Sequence, residues 1–157
     1  KHAGIAVGIG QYAGHPHKHE QGGFSGYLNR LNVIQNVSAV TAALLMCQRR
    51  KFEEIGGFND RDFKVACNDV DFCLRLMEQG YRNVYTPFAS AYHHESVSRG
   101  YEDTPEKQQR FEREKSLFQS RHQAILAAGD PYYNKNLRLD TEDVIPMLVS
   151  HDTNGTQ

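Results

Sequence analysis

An α/β fold is the class this sequence predicts, and three observations carry the prediction. Short strand-like runs recur at 4–10, 42–47, 82–86 and 88–92, each broken off by glycine, proline or a charged cluster. Between them lies a stretch with helical periodicity: Val70, Cys73, Leu74 and Met77 fall at i, i+3, i+4 and i+7, which puts one face of an α-helix into a core. The resulting order of strand, helix, strand, helix, strand is that of layered α/β domains, whose ligands gather beyond strand ends.

Length and composition set the outer bounds. A chain of 157 residues fits one domain, and 18 basic against 19 acidic side chains leave a net charge of −1. Bulk charge therefore argues against a nucleic-acid partner. Cys47, Cys67 and Cys73 form no C-x-x-C pair, and as reduced thiols they point to a cytoplasmic protein. The longest apolar run, 42–47, is far too short to span a bilayer, and no signal-peptide pattern opens the chain. The abrupt start in a strand-like segment suggests a piece of something longer.

Taken in order, 4–10 alternates apolar and small residues as a short core strand does. Residues 10–26 are rich in glycine and carry His15, His17 and His19, so they form a loop. Alternate histidines on an extended chain point the same way, which makes them candidate metal ligands, but no Cys or carboxylate stands at zinc spacing and a solvated loop is the plainer reading. The run 42–47 reads as a buried strand and Phe52 to Ile55 as a brief helix stopped by Gly56-Gly57. Asn59 to Asp62 is a turn. Asn68 or Asp69 stands where the next helix takes its N-cap, and Gly80 ends that helix. Pro87 separates two strands, the second of which delivers His93, His94, Glu95 and Ser96. Thr104 and Pro105 open a polar helix to His122 anchored by Phe111 and Phe118. Tyr132 and Tyr133 pack back onto the domain. Residues 1–146 thus form the domain, and 147–157 a disordered tail.

The junction at Asp69 supports two readings. A carboxylate there is a helix cap, or, beside a cleft, a rigidly held proton acceptor.

Five motifs, in their order and spacing, resemble family 2 glycosyltransferases: Thr41 to Met46, Phe52 to Phe58, Asn68 to Arg75, Gly80 to Arg82, and Tyr92 to Ser96. Asp130 to Leu137 is similar to the closing segment of such domains in bacterial surface-polysaccharide enzymes. The resemblance implies the C-terminal, acceptor-side half of a GT-A fold, a mixed sheet flanked by helices. It implies inverting transfer from a nucleotide diphosphate sugar to a saccharide or lipid-linked acceptor, with Mg or Mn on the diphosphate. Asp69 takes the place of the family's catalytic base, and Asn68 replaces the acidic residue usual before it. His93 matches the family's metal-ligating histidine, with His94 as the alternative. Asn68, Asp71 and Arg99 fall on the substrate side, Arg99 as a holder of phosphate oxygens.

Neither Asp60-Arg61-Asp62 nor Asp69-Val70-Asp71 ends a strand as the family's Asp-x-Asp does. The nucleotide-binding half is therefore expected outside this chain, leaving the chain by itself inactive and able to pair as a homodimer through open sheet edges. Its parent is expected in the cytoplasm or peripherally at the inner face of the membrane. The alternatives are a non-catalytic glycan-binding module and a histidine-rich metal-binding protein.

Overall fold

The computed structural model describes residues 2–93 and 103–147. Among these, strands and helices mix as the sequence predicts, but the strands form two antiparallel pairs rather than one mixed sheet. β1 (Ala6–Val7) pairs with β2 (Ala13–Gly14), Ala6 opposite Gly14. Gly8 and Gly10, at φ of 102° and 61°, supply the left-handed backbone that folds this hairpin. β3 (Gln35–Val37) pairs with β4 (Asn83–Tyr85), Val37 opposite Asn83. A single bridge, Ile5 to Ala39, joins the two pairs, with the Ile5 N–H donating to the Ala39 carbonyl at 2.8 Å.

α2 (Asn68–Glu78) is the centre of the core. The predicted face is buried at Val70, Cys73 and Leu74, and Phe72 and Leu76 widen it, so that the helix is enclosed on most sides. Ile5, Val7, Phe63 and Phe118 close over it. α1 (Arg49–Glu54) is stopped as expected by Gly56 and Gly57, both at positive φ. At Gly57 a Cβ would stand 2.8 Å from the Phe52 ring, so glycine meets both a backbone and a packing need.

α3 (Pro105–Arg121) begins where predicted, the Thr104 hydroxyl accepting from the Lys107 N–H at 3.4 Å. Phe118 is its fully buried anchor, while Phe111 lies edge-on to Tyr12. α4 (Gln123–Ala128) follows His122 directly. Tyr132 and Tyr133 are half-buried, as expected.

Two expected strands are absent. Residues 42–47 do not form a buried strand: Ala42–Leu44 is an exposed 3-10 turn and Met46 is 99% exposed. The Thr41 hydroxyl accepts the Ala43 N–H and turns the chain before a ladder can form. The strand of this region lies earlier and is polar, at β3. Phe88 to Tyr92 is likewise irregular, with Phe88 and Tyr92 exposed, because the Phe88 N–H folds back to the Thr86 hydroxyl beyond Pro87. Among the described residues no helix is long and apolar enough to cross a membrane. Residues 148–157, nearly all of the expected tail, lie outside the described residues.

Candidate functional site

The start of α2 is held from three directions. Cys67, not Asn68 or Asp69, is the N-cap residue, in a left-handed conformation at φ 63° with no side-chain capping bond. The turn survives because Glu114 of α3, fully buried, accepts the N–H groups of Ala66 at 2.6 Å and Val65 at 3.3 Å. A carboxylate from a distant helix thus holds the turn that precedes α2, while the Val70 N–H of its first turn is accepted by Asp69. Asp69 stands one residue inside the helix and is half-buried. Its Oδ1 accepts the Val70 N–H at 2.9 Å and its Oδ2 the Ala42 N–H at 3.1 Å. The exposed turn at 42–44 therefore has a use: it fixes this carboxylate.

The two other α2 residues assigned to substrate differ from each other in placement. Asn68 is half-buried beside Asp69. Asp71 is fully enclosed, with Oδ2 2.8 Å from Arg75 Nε and Oδ1 3.0 Å from Arg121 Nε and 2.9 Å from His122 Nε2. Burial pushes its pKa up, but the hydrogen bonds from His122 and Arg75 and the charges of Arg75 and Arg121 outweigh that and hold it below the usual carboxylate range. In this conformation Asp71 serves to tie α2 to α3, and its oxygens face the protein.

Three imidazoles from distant segments form a row. The His2 ring lies 4.3 Å from that of His15 and 5.5 Å from that of His93, centre to centre. His93 is exposed. Burial, helped by neighbouring His2, pushes the His15 pKa down to about 4, so this ring is neutral at pH 7. Glu142 accepts the His15 N–H at 2.9 Å and pairs with Lys18 at 3.1 Å, pinning the loop. Burial, with Asp69 next in effect, raises the Cys67 thiol to about 12, which leaves it protonated and inert.

The alternate histidines of the loop do not point together. His17, at φ 70°, turns inward beside Phe24, while His15 meets His2 and His19 approaches Glu142. A left-handed residue in mid-loop cancels the extended geometry on which their common direction depends. Among the described residues no three His, Cys, Asp or Glu side chains stand so as to hold a metal ion. His94 and Arg99 lie outside the described residues.

No model of a known protein family matches the chain, and no solved structure does. Similar proteins do exist. The chain is 48% identical to uncharacterized protein y4gI of Sinorhizobium fredii, over 92% of this chain and 16% of that protein. It is 36% identical to the O-antigen biosynthesis protein RfbC of Myxococcus xanthus, over 100% of this chain and 12% of that protein. Over 41% of this chain and 20% of the relative it is also 36% identical to an N-acetylglucosaminyl-diphospho-decaprenol L-rhamnosyltransferase of Mycobacterium tuberculosis. The chain spans a fifth or less of the length of each of these relatives.

Glu114 and Glu142 escaped sequence reasoning altogether, and His122 was read only as the end of a helix. Arg75 stands four residues from Asp71, an i, i+4 spacing that is the one signal by which sequence reasoning could have found that pair.

Proposed function

We propose that this chain is the acceptor-side part of a glycosyltransferase that builds bacterial surface polysaccharide, with Asp69 as its general base. The observation that carries the proposal is the Asp69 carboxylate, half-buried at a helix start and held by two backbone N–H groups. Each oxygen keeps a lone pair for an incoming hydroxyl. Relatives named for O-antigen biosynthesis and rhamnosyl transfer support a glycosyltransferase-related function in polysaccharide synthesis.

In this reading the acceptor O–H bond breaks toward Asp69 as the oxygen attacks the anomeric carbon. The bond from that carbon to the diphosphate breaks on the opposite face, and the configuration inverts. The nucleoside diphosphate departs with the electron pair. Mg or Mn on the diphosphate belongs to the same proposal, but His93 alone among the described residues does not make a metal site, and no step above depends on one.

The test is Asp69→Asn in the full-length protein that contains this chain, assayed with a panel of nucleotide diphosphate sugars. Asparagine still offers an oxygen to the Ala42 N–H. Transfer should fall by roughly a hundredfold to ten-thousandfold with donor binding retained. Near wild-type turnover refutes the assignment.

A further inference from the structure

We infer that Glu114 of α3 is a positioning residue: through the turn at 65–67 it fixes the place of the Asp69 carboxylate, and the rate of transfer depends on it. This rests on Asp69 being the base, and the two are tested separately below.

The strained point of the region is Cys67. A residue with a Cβ at φ 63° and ψ −3° persists only where its surroundings impose that conformation. Glu114 is the group that imposes it. Its carboxyl is fully buried, and Oε2 accepts the N–H groups of Ala66 at 2.6 Å and Val65 at 3.3 Å, the two residues immediately before Cys67. Oε1 lies 4.0 Å from Arg110 Nε. Cys67 passes the orientation on, because its carbonyl accepts the Asp71 N–H at 2.8 Å and so starts the helical ladder that carries Asp69.

α3 grips α2 at two levels. Seven and eight residues beyond Glu114, Arg121 and His122 meet Oδ1 of Asp71 at 3.0 and 2.9 Å, and Phe118 between them is fully buried. Along the chain Asp69 lies between the two grips. The grip at Asp71 fixes the body of the helix, whereas the grip at 65–66 fixes the angle at which its first turn starts. A change at Cys67 swings Asp69 relative to Ala42, whose N–H it accepts at 3.1 Å from a separate segment. Backbone strain held in place by a buried carboxyl, two residues before a reacting group, is the pattern of preorganisation. Misplacing such a group by about 1 Å costs on the order of a hundredfold in rate.

The test is a set of variants in the full-length protein, assayed with the nucleotide diphosphate sugars used for Asp69→Asn. Glu114→Met keeps the buried stem and removes the acceptor, so kcat should fall roughly ten- to hundredfold with the donor KM unchanged. Glu114→Gln keeps one oxygen for the two N–H groups and should recover part of the loss. Cys67→Gly adopts a positive φ without strain. Added to Glu114→Met it should raise kcat at least roughly threefold more than it does in the wild type. In the Asp69→Asn background Glu114→Met should cause no further fall. In the chain itself, the amide proton of Ala42 should shift upfield in Glu114→Met, as its bond to Asp69 is lost, and return with Cys67→Gly. Circular dichroism checks folding, and if Glu114→Met unfolds, Glu114→Gln with and without Cys67→Gly carries the same comparison. The inference is overturned by wild-type kcat in the Glu114 variants, by a loss that multiplies with that of Asp69→Asn, by no gain from Cys67→Gly, or by an unmoved Ala42 amide. Near wild-type turnover of Asp69→Asn alone overturns the base instead, whatever the Ala42 amide shows.

Discussion

Replacing Arg75 by methionine is the sharpest test of how α2 is held. Arg75 is only 12% exposed at its side chain, and its guanidinium meets three partners: Asp71 at 2.8 Å, the Ile55 carbonyl at 2.7 Å and the Gly57 carbonyl at 2.6 Å. It thereby pins the glycine turn after α1 to the central helix. Methionine keeps the apolar stem and removes all three bonds, leaving two carbonyls without this donor and a buried carboxylate with one partner fewer. Breaking a buried pair from one side costs about 3–5 kcal/mol. Arg121 and His122 still face Oδ1 of Asp71, which puts the expected loss near the lower end, about 3 kcal/mol. For a chain of this length that corresponds to a fall in Tm of roughly 6–12 °C. Urea and thermal unfolding followed by circular dichroism measure it. Arg75→Lys should recover less than half, since one ammonium cannot span the carboxylate and both carbonyls. A loss below about 1 kcal/mol for Arg75→Met refutes the clamp.

The other expected outcomes concern the turn, the histidine row and the metal. Met46→Asp should change stability by no more than about 0.5 kcal/mol in urea melts, because the side chain is almost wholly exposed; a loss several times larger restores the buried strand. His15 has a folded pKa of about 4, below its usual 6.5, so the unfolded chain binds the proton first and stability falls as pH drops from 6.5 toward 4. The full penalty is roughly 3 kcal/mol, and His15→Gln should remove it from the difference between stabilities at pH 7 and pH 4; identical slopes for both proteins contradict it. In the full-length protein, His93→Ala should weaken Mn-dependent donor binding, and an unaltered Mn dependence moves the ligand elsewhere.

Helices were legible in this sequence because their determinants are local. The stripe Val70, Cys73, Leu74, Met77, the Thr104-Pro105 start and the Gly56-Gly57 and Gly80 stops each lie within a few residues of what they specify. The position of Asp69 at a helix start was legible for the same reason. Strands were legible only in part: 4–10 holds β1 and 82–86 holds β4, but a strand exists only by its partner, and the apolar run at 42–47 lacks one, while polar Gln35–Val37 finds one almost fifty residues away in Asn83–Tyr85. The supports of the site were hidden more deeply. Glu114 reaches the turn before α2 across 48 residues, His122 reaches Asp71 across 51, and Glu142 reaches the His15 backbone across 127. The sequence alone determined which carboxylate stands at the helix start. Tertiary structure decided what holds the turn before that helix, which carboxylate is spent on the core and which histidines meet, because buried charges and unpaired N–H groups are satisfied by whatever the fold brings near, irrespective of separation along the chain.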